Sequence, residues 1–192
     1  MVPRVTPSVK ERVVEGARIA IEEVGWQAAT LEQIASASGL SRMTLHRHGL
    51  GRDEIFALLG AAYEADFRET VSAACEEPGP AAARLRRGLE AVCAATERHL
   101  AFLGGLDDES DTRLFHDHGV SRPGYVAPFE AVLRTGVADG SFGTLDVART
   151  AVLLVNAADR TYRHLRVAHA WSPQAASGTI ELLVRGLETP PA

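Results

Sequence analysis

The segment from Thr30 to Phe56 constrains the fold more than any other, because its spacing predicts two short helices joined by a tight turn. Thr30 and Gln33 form a capping-box pattern that starts the first helix. Gly39 stands where a chain leaving a helix adopts a left-handed conformation, and Ser41 can cap the second helix. Two short helices with so short a connection predict a helix-turn-helix.

The second of these helices would present a polar surface to a partner. If Leu45 points inward, the turn of 100° per residue directs Met43 and Arg47 outward, with further polar side chains beside them. Guanidinium, hydroxyl, imidazole and thioether groups suit a major groove, which offers base-edge acceptors, thymine methyl groups and flanking phosphates. Double-stranded DNA is therefore the predicted partner.

The same segment resembles the DNA-binding domain of the TetR (tetracycline repressor) family of transcriptional regulators. The family's usual run reads Thr, a spacer, Ile-Ala, a spacer, Ala-Gly-Val-Ser, a spacer, Thr-Leu-Tyr-Arg-His-Phe and then Pro-Ser-Lys-Asp-Glu-Leu. The resemblance implies a ligand-responsive transcriptional regulator, expected to be a repressor, that a small-molecule effector releases from a two-fold operator. The residues in register with the family are Thr30, Ile34, Ala35, Gly39, Ser41, Thr44, Leu45, Arg47, His48, Asp53 and Glu54.

The sequence departs from the family's pattern at the end of the recognition helix. His46 replaces a tyrosine that generally binds a DNA phosphate, and Gly49 with Leu50 replaces the phenylalanine and proline that close the helix, so we expect a smaller donor and a looser helix end. Arg52 replaces a lysine that meets a phosphate, and its charge should keep that contact. The predicted DNA-binding residues are Thr30, Gln33, Ser41, Arg42, Met43, Thr44, His46, Arg47, His48 and Arg52.

Charge divides the chain at the end of this segment. Residues 1–52 hold seven Lys or Arg and five Asp or Glu, a net charge of +2, whereas residues 53–192 hold 13 and 20, a net charge of −7, and the two sum to −5. The N-terminal part can therefore approach phosphate while the remainder repels DNA. We predict a DNA-binding domain at 1–52 and a ligand-binding and dimerisation domain at 53–192.

Composition indicates a cytoplasmic protein without a membrane partner. Its 192 residues, 46% of them hydrophobic, suffice for a sizeable core. Cys75 and Cys93 are too few for a disulfide framework, and the N-terminus lacks the pattern of a secretory leader. No apolar run is long enough to cross a bilayer.

Apolar residues recur at helical spacing along the rest of the chain, and no segment favours a strand. We therefore predict an all-α fold of about nine helices, with Trp26 in the core. A long helix should begin at Asp53 and end at the sequence EEPGP, residues 76–80, and an apolar seam of about six turns should run from Ala81 to Leu103. Residues 104–128 predict one short helix and a mobile connection. The last three helices should end at Asp139-Gly140, begin near Asp146 and begin at Ser172-Pro173.

The resemblance also implies roles for the C-terminal helices. In the TetR family the last two helices pack against their copies in a second subunit, and a small molecule enters a pocket among the middle helices. We therefore expect a homodimer with an interface formed by Ala151, Val155, Ala158, Tyr162, Ile180, Leu183, Val184 and Leu187. The expected effector pocket is lined by Tyr63, Phe67, His99, Phe102, Phe115, His116, Tyr125 and Phe129.

Two other functions remain open at this stage. An enzyme finds no support, because the chain has neither a Gly-x-Ser-x-Gly elbow nor a Gly-rich phosphate loop, and no cofactor is expected. His116-Asp117-His118 is the densest group of possible metal ligands, but ligands two residues apart on a short helix point in different directions, so we predict no metal site. The second alternative is a TetR-like ligand-binding module that has lost DNA binding, since His46 and Gly49 depart from the family's pattern.

Overall fold

The computed structural model describes residues 7–112, 114 and 122–189, with only the backbone at 122–124. The described residues form eleven helical segments and no strand beyond an isolated bridge between Phe142 and Glu188, which confirms the predicted all-α fold. The helices are α1 (Val9–Val24), α2 (Leu31–Ala37), α3 (Arg42–Arg47), α4 (Arg52–Glu76), α5 (Ala81–Arg98), α6 (Leu100–Gly104), α7 (Asp108–Thr112), α8 (Arg122–Ala138), α9 (Val147–Ala168), α10 (Pro173–Ala176) and α11 (Thr179–Arg185).

More helices are found than predicted because two predicted helices are each divided. The apolar seam that begins at Ala81 is interrupted at His99, which caps α5 before α6 begins at Leu100. The last predicted helix is interrupted at Ser177 and Gly178, between α10 and α11. Apolar residues keep their helical spacing across both breaks, so the pattern alone could not locate them.

The region predicted as a mobile connection contains more helix than expected. α8 begins at Arg122 and continues through Gly124 and Pro128, so residues 122–128 belong to a helix and not to the predicted mobile connection. Proline removes one backbone hydrogen bond from a helix. The buried side chains of Tyr125 and Phe129 on either side favour the continuous helix. Residues 115–121 lie outside the described part of the chain.

The chain divides into two compact units, Met1–Ala62 with Ala101–Gly119, and Tyr63–Leu100 with Val120–Ala192. In the first unit α1 packs against α2, and Trp26 is buried as predicted, in an aromatic cluster with Phe56 and Phe102 whose ring centroids are 5.5–5.7 Å apart. The predicted functional division at residue 52 stays a prediction.

The second unit is built on α5, α8 and α9, which pack on one another. The EEPGP sequence ends α4 at Glu76, as predicted. α11 packs on α5 and α9, and the core between these helices includes Leu85, Leu89, Phe129 and Val184, each fully buried. Within the described residues, no helix is both long and apolar enough to cross a membrane.

Candidate functional site

The first helix of the predicted helix-turn-helix has the expected caps. Thr30 Oγ1 accepts a hydrogen bond from the Gln33 backbone N–H (3.2 Å), and Gln33 Oε1 accepts one from the Thr30 N–H (2.8 Å). Gly39 takes a left-handed conformation (φ 63°), and the Leu40 N–H reaches back to the Ala35 carbonyl (2.9 Å). These bonds close α2 with a Schellman motif, as the sequence predicted for Gly39.

The recognition helix α3 is closed in the same way, which corrects the expected looser end. Ser41 Oγ accepts from the Thr44 N–H (3.1 Å) at its start. At its end Gly49 is left-handed (φ 64°), and the Leu50 N–H bonds to the Leu45 carbonyl (3.0 Å). Glycine adopts this conformation without the steric cost of a Cβ, so it terminates the helix as firmly as the family's usual residues would.

The outer surface of α3 is polar and exposed. Leu45 is its single buried residue, and Met43, on the opposite side, is 72% exposed. Thr44 is half-buried. The exposed side chains beside Met43 are Arg42, His46, Arg47 and His48. The structure therefore places five of the ten residues predicted to meet DNA on one short helix, and two more, Ser41 and His48, are its caps.

Helix α1 holds the turn between α2 and α3 at two points that sequence reasoning missed. The Arg12 guanidinium donates to the carbonyl oxygens of Ser38 (3.0 Å) and Gly39 (2.8 Å). A Cβ on Gly16 would lie 2.1 Å from Ser38 Oγ and 2.5 Å from the Ser38 backbone nitrogen, so only glycine allows this close approach. Gly16 carried a usable signal, because a glycine inside a helix is unfavourable and usually has a packing reason.

Arg52 forms internal contacts that the sequence did not suggest. Its guanidinium donates to the carbonyl oxygens of Ala29 (2.7 Å) and Trp26 (2.5 Å) and lies 4.1 Å from the centre of the Trp26 ring. The group is therefore engaged inside the protein, where it joins the start of α4 to the loop before α2. Arg52 therefore has a structural role, and the phosphate contact expected of its remaining N–H groups stays a prediction.

Few cations of the N-terminal segment are available to a partner. Arg12 and Arg52 bond internally, and Arg18 pairs with Glu15 (3.0 Å). Arg42 and Arg47 are exposed and form none of the ion pairs found in the described part of the chain, and Lys10 is also exposed. The positive charge that can reach a phosphate is thus concentrated on α3 and near the start of α1.

Four of the eight residues of the expected effector pocket come together in the second unit. The rings of Phe67 and Tyr125 have centroids 4.3 Å apart, and Tyr63 lies 6.0 Å from Phe67 and 5.4 Å from His99. Burial raises the pKa of both tyrosine hydroxyls well above its ordinary range, so both stay protonated. The Tyr125 hydroxyl is buried without a hydrogen-bond partner among the described residues.

A buried carboxylate beside this cluster was not anticipated. Asp159 Oδ1 accepts hydrogen bonds from Thr96 Oγ1 (2.7 Å) and from the Tyr63 hydroxyl (3.4 Å). His99 Nε2 lies 3.2 Å from Asp66 Oδ2, and Arg98 also pairs with Asp66 (2.8 Å). Asp159 was a weak signal in the sequence, because it is an acidic residue on the otherwise apolar face of α9.

Two further residues of the expected pocket, Phe102 and Phe129, lie elsewhere. Phe102 packs with Trp26 and Phe56 in the first unit, because the chain turns at His99. Phe129 lies against Gly88, where a Cβ would be 2.9 Å from its ring. Phe115 and His116 lie outside the described residues, as does the His116-Asp117-His118 sequence.

The residues expected at the dimer interface are mostly in the chain's own core. Ala151 and Val184 are fully buried, Ala158 is 2% exposed and Tyr162 is 3% exposed within one chain, and Val155 and Ile180 are also buried. Leu183 and Leu187 are half-buried. A residue enclosed by its own chain cannot contact a partner, so the expectation is corrected for those six residues. The exposed apolar side chains of α9 and α11 are Leu153 and Val167, and Leu182.

Metal-binding side chains and cysteine thiols are two kinds of group that could serve catalysis. No group of three or more His, Cys, Asp or Glu side chains that could hold a metal ion occurs in the part of the chain that the structure describes. Cys75 and Cys93 are buried, and desolvation raises the pKa of Cys75 to about 11 and of Cys93 to about 12. Both cysteines are therefore thiols in neutral solution and weak nucleophiles.

Solved structures match the fold, although no protein-family model and no curated protein matches the sequence. The TetR family transcriptional regulator PfmR from Thermus thermophilus is 25% identical and aligns over 93% of this chain and 100% of its own, with a TM-score of 0.70. A regulatory protein of the same family from Rhodococcus is 17% identical over 97% and 100%, with a TM-score of 0.71. FadR from Bacillus subtilis in complex with stearoyl-CoA is 17% identical over 92% and 98%, also with a TM-score of 0.71.

Proposed function

The chain has the fold of the TetR family of transcriptional regulators, and from this premise we propose that it is itself a ligand-responsive regulator, acting as a repressor. Residues 1–52 bind the operator, and residues 53–192 bind the effector and a second copy of the chain. The observation that carries the proposal is the outer face of α3, where Arg42, Met43 and Arg47 are exposed around one buried anchor. An exposed methionine between two arginines matches a groove that carries thymine methyl groups and acceptors.

A single copy of α3 cannot specify an operator. Its six residues extend about 9 Å, which limits contact to a few base pairs. Helix-turn-helix proteins overcome this limit by binding two half-sites about 34 Å apart as two-fold dimers. The proposed regulator is therefore a homodimer on a two-fold operator.

The exposed apolar residues of α9 and α11 provide the proposed dimer surface. Leu153 is 60% exposed and Leu182 is 74% exposed, and exposed leucines favour burial against a partner. We expect Leu182→Glu and Leu153→Glu to shift the protein to monomers in sedimentation experiments. Ile19→Glu, an equivalent change at the 41% exposed Ile19 of α1, should leave the dimer intact. A dimer that persists in both leucine variants contradicts this interface.

The aromatic cluster of Tyr63, Phe67 and Tyr125 is the proposed effector site. Its rings supply apolar contact, and the unpaired Tyr125 hydroxyl supplies one hydrogen-bonding group. An effector that binds the free protein better than the DNA-bound protein lowers operator affinity by linkage. The stearoyl-CoA in the Bacillus subtilis FadR structure belongs to that protein. For this chain we propose a mostly apolar small molecule with one polar group.

DNA titration tests the function directly. We expect duplex DNA from upstream of the gene to bind with nanomolar-range, salt-sensitive affinity. Arg47→Ala should weaken binding about 10- to 100-fold, because a specific base contact is worth about 1–3 kcal/mol. Arg134→Ala is the matched control, since Arg134 is an exposed arginine of α8 paired with Glu130. Equal affinity in both variants overturns the role of α3.

A ligand-binding module without DNA binding is the second candidate. The internal bonds of Arg52 occupy two of its five N–H donors, and His46 offers a smaller donor than tyrosine. If the protein is such a module, no duplex from upstream of the gene should bind even at low salt. The protein should still form a dimer and bind its effector. The titration described above separates the two candidates.

A further inference from the structure

Two exposed histidines meet at the end of α9. His164 lies on the last turns of the helix, and His169 is its C-cap. Their Nε2 atoms are 3.2 Å apart, and their rings are inclined by 78° with centroids 5.0 Å apart. The two rings are therefore close to perpendicular, and their Nε2 atoms are within hydrogen-bonding distance of each other.

The distance between the two nitrogens is the one that a shared metal ion requires. Zinc binds imidazole nitrogen at about 2.0–2.1 Å, so two ligands at the tetrahedral angle are roughly 3.3 Å apart. Ligands at 90°, as in square-planar copper or nickel sites, are roughly 2.9 Å apart. We propose that His164 and His169 together bind one divalent zinc, nickel or copper ion.

The turn after α9 holds this pair in position. Histidines five residues apart point in different directions on a continuous helix, and here the helix ends before the second one. Ala170 is left-handed (φ 51°), the one non-glycine residue with positive φ among the described residues. The Trp171 N–H bonds to the Leu165 carbonyl (3.1 Å), and the Arg166 guanidinium donates to the Trp171 carbonyl. A strained residue beside His169 marks a conformation that the surrounding bonds enforce.

One cation beside the pair, Arg166, is compensated by a carboxylate. Arg166 forms two hydrogen bonds with the Glu97 carboxylate, 2.7 and 2.9 Å long, so its positive charge is offset. A hydrogen bond between two neutral imidazoles gives a similar nitrogen distance, but water competes with it at an exposed site. A metal ion replaces that bond when both Nε2 atoms are unprotonated. Water fills the remaining coordination positions.

Calorimetry with zinc chloride tests the site. The full chain, with any affinity tag removed, is titrated at pH 7.5 after chelator treatment and dialysis. We expect one ion per chain, and His164→Gln or His169→Gln should each weaken binding at least about tenfold, since even an outer-shell partner contributes about 10- to 100-fold. Both side chains are exposed, so neither change should alter the circular dichroism spectrum.

His118→Gln is the matched control, because it removes a histidine from the other histidine-rich sequence of the chain. It should leave zinc affinity unchanged. Zinc binding that is lost in His118→Gln and kept in His164→Gln overturns the proposal, as does the absence of binding to the wild-type chain.

Tryptophan fluorescence gives an independent readout with copper. The Trp171 ring is 46% exposed and its centroid lies 6.5 Å from that of His169, so a bound copper ion should quench its emission. Quenching should disappear in His164→Gln, which leaves the tryptophan in place. Trp171→Phe should remove the quenched emission and leave zinc affinity unchanged. Equal quenching in the wild type and in His164→Gln contradicts the site.

Discussion

The helix-turn-helix and the C-terminal unit use their polar groups in opposite ways. In the first, the backbone is held by N–H groups that donate to the Thr30 and Ser41 hydroxyls and by the Arg12 guanidinium, which donates to carbonyl groups, and the outward side chains of α3 stay exposed. In the second, Asp159 and Thr96 are buried among the core helices. The difference indicates that the first region depends on close backbone geometry, whereas the second depends on satisfied buried groups. Each substitution below tests one side of this contrast.

The largest effect is expected where α1 meets the turn. Gly16→Ala places a Cβ 2.5 Å from the Ser38 backbone nitrogen, so α1 must move away from the turn. We expect the free energy of unfolding to fall by about 3 kcal/mol in urea titrations. Gly143→Ala is the control, because a Cβ there meets nothing within 4 Å in the described part of the chain. Equal stability of the two variants would show that the close approach of Gly16 to Ser38 does not require glycine.

The buried polar group of the second unit should rank next. Thr96→Val keeps the shape of the side chain but removes the hydroxyl that donates to Asp159, so the carboxylate loses a buried donor. We expect a loss of about 2 kcal/mol in the same assay. Thr135→Val is the matched control. Each of the two threonine hydroxyls lies 3.0 Å from the carbonyl oxygen four residues earlier, but Thr135 is exposed. Comparable losses in both variants would mean that the buried hydrogen bond from Thr96 to Asp159 adds nothing to the free energy of unfolding.

A smaller effect should follow from the end of the recognition helix. Gly49→Ala forces an alanine to φ 64°, although a Cβ there meets nothing within 4 Å among the described residues. The cost is conformational, about 1 kcal/mol, and operator affinity should fall with it because the Schellman motif positions α3. Thermal unfolding and DNA titration measure the two effects. Unchanged values would show that the helix end adopts another closure without cost.

The smallest effect concerns acid stability in the C-terminal unit. Hydrogen bonds from Arg166 lower the pKa of Glu97. A carboxyl with a lowered folded-state pKa stabilises the protein above its unfolded pKa, and this contribution is lost as the pH falls through the folded value. Arg166→Met should therefore remove less than about 1 kcal/mol at pH 7 and very little at pH 3, because the pair is partly exposed. An equal loss at both pH values would assign the effect to packing.

The helix-turn-helix was predictable because its signals are local. The caps of Thr30 and Ser41 and the left-handed Gly39 each act within five residues, so the sequence contains the whole interaction. The internal contacts of Arg52 were missed because its partners, Trp26 and Ala29, are more than twenty residues away. A charged residue at a familiar position does not reveal whether the fold has already engaged it.

The same reasoning explains the errors in the C-terminal unit. The apolar stripe of α9 indicates that one face is buried, but it cannot tell burial in the chain's own core from burial against a second copy. Ala158 and Tyr162 belong to the core, and Leu153 belongs to the exposed side. The pairing of Tyr63 with Asp159 and the approach of His169 to His164 depend on tertiary packing and on a turn. The helical periodicity of the sequence carries no information about either contact.

The grip of Arg52 on the loop after α1 has a mechanical consequence. The guanidinium is bonded to two carbonyl groups and stacked on Trp26. The first turn of α4 is therefore held tightly to the segment that precedes α2. A small tilt of that turn should therefore move the segment before α2, and with it the start of the helix-turn-helix, in the same direction.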